Sequence, residues 1–224
     1  TNLGIGNSTY YSSPKQVAST NWTTVSNSRG NFSLAIKSDG TLWAWGNNAA
    51  GQLGTGNINY YSTPKQIGAL TTWLSVSCFY RFSAAIKTDG TLWMWGENDW
   101  GQLGTGNTTY RSSPVQVGAL TTWASVACGR KYTTAIKTDG TIWSWGYNSA
   151  GQLGIGNTTN YSSPKQIGAL TTWQKISCSF ATTIAIKTDG TIWGWGQGGY
   201  GNIGIGNTTD YSSPKQIEIG RAHV

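Results

Sequence analysis

Histidine is almost absent from this chain. Its 224 residues hold one, His223, at the extreme C-terminus, and one methionine, Met94. With no imidazole in the body of the chain, histidine-based acid–base chemistry and histidine metal ligation lack their residues. Charge is scarce too: 10% of residues are Asp, Glu, Lys or Arg, against about 25% in an average globular domain. Proline numbers five and cysteine three. No apolar run approaches the ~20 residues of a helical membrane span. The chain is rich instead in glycine, 31 residues, and tryptophan, 13. At 12% aromatics, it carries enough apolar surface to bury a core.

The tryptophans are periodic. Trp43, Trp93, Trp143 and Trp193 stand 50 residues apart, as do Trp45, Trp95, Trp145 and Trp195. Pro14, Pro64, Pro114, Pro164 and Pro214 keep the same period. Such a period marks a repeat array. Units run 1–50, 51–100, 101–150 and 151–200, with 201–217 a partial fifth. Residues 1–217 are therefore expected to form one repeat-built domain.

Within unit 101–150, a Gly/Asn/Thr/Ser-rich loop precedes four short extended runs: PVQV, WASVAC, YTTAIK and TIWSWG. Pro is tolerated at a strand start. Thr138-Asp139-Gly140 reads as a tight hairpin turn, since Asp-Gly accepts positive φ. Apolar residues on both strand faces imply a sheet covered on both sides. The fold class is all-β: a β-propeller of four-stranded antiparallel blades. Complete strand sets are expected at 13–46, 63–96, 113–146 and 163–196, with a lone first strand near 213–217.

Val-Ala-Cys-Gly, Ala-Ile-Lys-Thr-Asp-Gly, Trp-Ser-Trp-Gly and Gly-Gln-Leu-Gly, in a pattern that recurs with variation through residues 1–217, resemble the regulator-of-chromosome-condensation repeat family, its bacterial members more than the eukaryotic nuclear exchange factor. The resemblance implies propellers, commonly seven-bladed, used mainly as binding platforms. The family often places His three residues after the Cys-Gly glycine; here those positions hold Phe32, Phe82, Tyr132 and Thr182. Four blades then make an incomplete arc, whose open apolar edges favour self-association. The pattern fails at Glu218-Ile-Gly-Arg-Ala-His-Val224, which matches a translated sequencing adapter. Residues 218–224 are expected to be a non-native scar on a fragment of a longer protein.

The units differ in two segments. One is the loop at 27–32, 79–82, 129–132 and 179–182; the other opens the long loop at 47–50, 97–100, 147–150 and 197–200. Strand parity puts both on one face and the repetitive turns on the other. Variable loops on a rigid scaffold are where binding concentrates. Arg29, Phe32, Phe79, Tyr80, Arg81, Phe82, Trp100, Arg130, Lys131, Tyr132, Tyr147, Phe180 and Tyr200 are the candidate partner-binding residues. Arg, Tyr and Trp dominate interface hot spots.

Catalytic, cofactor and metal chemistry find no residue pattern. Cys78, Cys128 and Cys178 recur at one strand position and read as small core residues. The Gly-x-x-Gly-x-Gly-Asn runs read as turns, lacking the strand–helix context of a nucleotide loop. Glu97 and Asp99 read as solvated loop acids. The net charge of +7 is dispersed, which argues against a nucleic-acid stripe. The expected function is a non-catalytic scaffold for a protein partner. The alternatives are a lectin-like propeller, with Trp100, Tyr147 and Tyr200 stacking on a glycan, and a GTPase-exchange or chromatin-binding propeller. Low charge with much Asn, Thr and Gly suggests a secreted or cell-surface protein.

Overall fold

The structure, a computed structural model, describes residues 3–7, 9–17 and 20–218. The tail from residue 219, and most of the suspected scar with it, lies outside the described residues. All regular structure among them is strand, in four antiparallel four-stranded sheets. The first blade holds β1 (Trp22–Ser28), β2 (Phe32–Lys37), β3 (Leu42–Gly46) and β4 (Tyr61–Gln66). The second holds β5 (Trp73–Phe79), β6 (Phe82–Lys87), β7 (Leu92–Gly96) and β8 (Arg111–Gln116). The third holds β9 (Trp123–Cys128), β10 (Tyr132–Lys137), β11 (Ile142–Gly146) and β12 (Tyr161–Gln166). The fourth holds β13 (Trp173–Cys178), β14 (Thr182–Lys187), β15 (Ile192–Gly196) and β16 (Tyr211–Gln216).

This grouping corrects the expected strand sets. The proline-bearing strand does not open the blade of its own repeat. It closes the blade of the repeat before: Trp43 pairs with Gln66, and Trp193 with Gln216. The strand near 213–217 is the fourth strand of a complete blade, not a lone first one. Pro64, Pro114, Pro164 and Pro214 sit inside these outermost strands, where one side of the backbone has no ladder partner and a missing N–H costs nothing. The first strands of successive blades pack on each other, β1 on β5, β5 on β9 and β9 on β13, so they line the inner side of the arc.

Each hairpin is fixed locally. Asp39 Oδ1 accepts from the Thr41 backbone N–H at 2.9 Å and the Thr41 hydroxyl at 2.6 Å, and Thr41 Oγ1 accepts from Trp43 Nε1 at 2.8 Å. The same triple recurs at Asp89, Asp139 and Asp189. Hydrophobic cores fill the seams between blades; Phe32, Leu34, Leu42 and Leu53 meet Trp73, Cys78 and Trp95 in the first. Cys78 and Cys128 are buried free thiols and Cys178 is half-buried.

The glycine-rich runs are inter-blade latches. Gly54, at φ +77°, lies so close to Trp95 of the next blade that a Cβ there would stand 2.8 Å from the indole nitrogen. Gly56 N–H donates to Ser112 O at 2.8 Å. Gly4 and Gly6 make the same contacts to Trp45 and Ser62.

Candidate binding face

Antiparallel parity leaves the loop between the first two strands of a blade on the same side as the loop between its third and fourth. The aspartate hairpins emerge opposite. Three neighbouring blades then bring their variable loops together, and the contacts are aromatic and cationic.

Tyr80 sits in a two-residue hairpin, since Phe79 pairs with Phe82. Its φ is +56°, a left-handed conformation that such turns usually give to glycine. The loop is gripped by its neighbour: Ser28 Oγ donates to Tyr80 O at 3.4 Å. The Arg130 guanidinium carbon stands 4.1 Å from the Phe180 ring centroid and 5.4 Å from that of Tyr80. Arg130 from the third blade is thus flanked by aromatics of the second and fourth. Its backbone N–H donates to Ser179 O at 3.2 Å, tying the loop to the fourth blade. Beside it, the Lys131 ammonium lies 5.4 Å from the Trp100 ring, and Trp100 meets Tyr147 at 4.6 Å between centroids with a 57° tilt. A pocket of about 270 Å³ opens between them, lined by Trp100, Arg130, Lys131, Tyr147, Phe180 and Gln197 among others.

The charges are unequally engaged. Arg81 lies 4.0 Å from Glu97. Glu97 is 4% exposed, which corrects its reading as a solvated acid. Burial pushes its carboxyl up from the usual range, and the neighbouring Asp99 adds to this; Lys131, Arg81 and Arg130 partly offset them. Asp99 accepts from Tyr110 Oη at 2.7 Å. Among the described residues, Arg130 has neither a carboxylate within ion-pair distance nor an acceptor for its buried Nε–H.

The structure brings together Tyr80, Arg81, Trp100, Arg130, Lys131, Tyr147 and Phe180. Arg29 and Tyr200 lie on exposed loops outside this cluster, Tyr200 being 93% exposed. Phe32, Phe82 and Tyr132 must be corrected: at 0%, 1% and 0% exposed they are core residues, not part of the exposed face. Each opens the second strand of its blade with its side chain turned into a seam. Tyr132 donates its hydroxyl to Thr182 O at 2.8 Å, a link between the third and fourth blades. Phe79 is half-buried against the second core. Gln197 and Ala181 line the pocket without having been singled out; both lie in the variable segments, but neither residue type suggests binding by itself.

The family model of the RCC1-like domain matches residues 1–224. No curated protein matches the sequence. Among solved structures, human WBSCR16 superposes with a TM-score of 0.81 at 24% identity, covering 88% of this chain and 53% of its own. Prp20p from Saccharomyces cerevisiae, a protein characterised for binding to Gsp1p and histones, gives 0.84 at 19% identity, covering 93% and 54%. The same yeast protein bound to Kap60 gives 0.75 at 19% identity, covering 91% and 50%. The chain spans about half the length of these structures, and at such identities the likeness is one of fold.

Proposed function

This chain belongs to the RCC1-like domain family, and on that premise we propose that it is a non-catalytic scaffold whose variable-loop face binds a protein partner. One observation carries the reading. Loops that differ in sequence from blade to blade converge on a single cluster, Tyr80–Arg130–Phe180 beside Lys131–Trp100–Tyr147. Large aromatics with arginine are what interface hot spots are made of, and here they sit on short loops between the strands of three neighbouring blades. Protein binding is also what characterises the yeast structures of this fold, which engage Gsp1p, histones and Kap60.

The saccharide alternative asks for exposed ring faces. Of its three rings, Tyr200 is exposed but stands outside the cluster, and Trp100 is packed by Tyr147 and Lys131, which supports it less well. The exchange-factor alternative rests on fold likeness alone.

The test is capture by the immobilised 224-residue chain from an extract of its own source cells. A protein retained by wild type and by Leu120→Ser, on the opposite face, but lost with Arg130→Glu supports the reading. Equal retention by all three overturns it. A glycan array decides the alternative: saccharide binding abolished by Trp100→Ala would replace the protein-binding reading.

A further inference from the structure

We propose that the chemistry recognised at this face is a carboxylate from an acidic segment of the partner, gripped by Arg130. The inference rests on the protein-binding reading above and adds to it the class of ligand.

Arg130 is the starting point. A guanidinium has five N–H donors in one plane. Here that plane is flanked by Tyr80 and Phe180, yet no acceptor meets any of the five among the described residues, and Nε is fully buried. Burying a donor without an acceptor is unfavourable. The aromatic flanks compensate for the charge but not for the hydrogen bonds. Nε itself is out of a ligand's reach, but the two terminal nitrogens at the pocket wall present paired N–H groups that the two oxygens of a carboxylate match edge-on while the rings keep the faces.

The protein's own acids do not fill that role. Glu97 faces Arg81, and Asp99 accepts from Tyr110. Both stay with the second blade. Lys131 supplies a second cation at the pocket wall, with its ammonium over Trp100. Both cations act on Glu97 through space, but among the described residues neither has a carboxylate within 4.0 Å, so each keeps hydrogen-bond donors for a ligand.

The pocket sets the scale of the ligand. About 270 Å³ walled by Trp100, Tyr147 and Phe180 accepts one side chain, not a polymer backbone. A long polyanion would need a continuous basic track. The recurring lysines Lys37, Lys87, Lys137 and Lys187 are instead seated on tryptophan rings beside the aspartate hairpins, on the opposite face. A single Asp or Glu, flanked by apolar residues that rest on the aromatic rim, fits the site.

The test pans a library of random dodecapeptides displayed on phage against the 224-residue chain. The expected result is enrichment of sequences with one fixed Asp or Glu. Replacing that residue by Gln or Asn in the synthetic peptide should weaken binding at least tenfold. Arg130→Gln should do the same, and Arg130→Lys should recover only part of it, since charge returns without the fork. The peptide substitution needs no change in the protein, so a folding defect in the variants does not obscure it. Enriched peptides that lack an acidic position, or that bind Arg130→Gln as well as wild type, overturn the carboxylate inference while leaving protein binding standing. Peptides that bind only through the opposite face, lost with Leu120→Ser, overturn the assignment of binding to the variable-loop face, and the carboxylate inference with it. Heparin binding that depends on Arg130, with no acidic peptide selected, overturns the inference in favour of a sulfated polymer.

Discussion

The indole N–H of Trp95 donates to the backbone carbonyl of Gln52 at 2.9 Å, across the seam between the first two blades. The same carbonyl accepts from the Ser83 hydroxyl at 2.7 Å. Trp145 with Thr133 binds Gln102 O, and Trp195 with Thr183 binds Gln152 O, in the same way. Each seam is closed by the loop of one blade hydrogen-bonded into the middle of the next.

The latch makes a graded prediction about its glycines. Gly54→Ala puts a methyl 2.8 Å from Trp95 Nε1 at φ +77°, and should cost about 2–4 kcal/mol from backbone strain plus displacement of the indole. Gly204 shares the positive φ, but the nearest atoms to a Cβ there are Ile217 methyls at 3.4 and 3.7 Å. Gly204→Ala should cost only the strain, about 1 kcal/mol. Urea denaturation of the two variants checks the difference.

Tyr80 trades backbone comfort for position. At φ +56° a bulky residue stores about 1–3 kcal/mol of strain. Tyr80→Gly relieves it, while giving up the ring on Arg130 and adding about 0.4–1 kcal/mol of unfolded-state entropy. Stability should stay within about 1 kcal/mol of wild type, while partner binding falls. Thermal denaturation alongside the capture assay reads both.

The thiols should be silent in the native state. Burial pushes Cys78 up to about 12 and raises Cys128 and Cys178 as well. At pH 8.5 Cys78 then stays almost wholly un-ionised, and the thiolate is the reactive form. Iodoacetamide should label wild type only after denaturant is added. Labelling of Cys78 in native buffer would contradict the packed first seam.

The carboxylates should act in opposite directions with pH. Asp39, Asp89, Asp139 and Asp189 are held below the usual range, first by the hydroxyl of the threonine two residues on and then by its backbone N–H. Their folded value lies below the unfolded 3.8, so their stabilisation is full above pH 3.8 and is lost as pH falls through the lowered value. Glu97 is raised, so its ionised form destabilises the fold at neutral pH. That penalty lifts as pH falls through the raised value toward 4.5. Glu97→Gln should therefore be more stable than wild type at pH 7, with the gap closing by pH 4.5. Denaturant titrations at several pH values measure it.

Much of this architecture was legible in the sequence because its signals are local. Asp39-Gly40 announces a hairpin, the Trp pairs mark the third strand, and the period counts the units. The placement of Arg130, Trp100 and Tyr147 on one face followed from parity alone. What was not local was lost. A 50-residue period has no natural origin, so nothing near Pro64 reveals whether its strand joins Trp43 or Trp93. The pairing with Trp43 is settled by the long loop that docks on the next blade before the chain returns. Phe32, Phe82 and Tyr132 were misread for a related reason. They border a variable loop in sequence, but a strand's alternation turns them into the seam. Glu97 was misread because an acid in a loop is normally solvated, and only tertiary packing reveals that Glu97 is not.

The borrowed fourth strand has a consequence for synthesis. A blade is completed by residues belonging to the following repeat: β4 begins at Tyr61, eleven residues into the second unit. No 50-residue unit can then fold as soon as it leaves the ribosome. Its sheet lacks the outer strand until the next unit has been made. Every newly made segment therefore supplies the closing strand of its predecessor's blade before it supplies the first strand of its own.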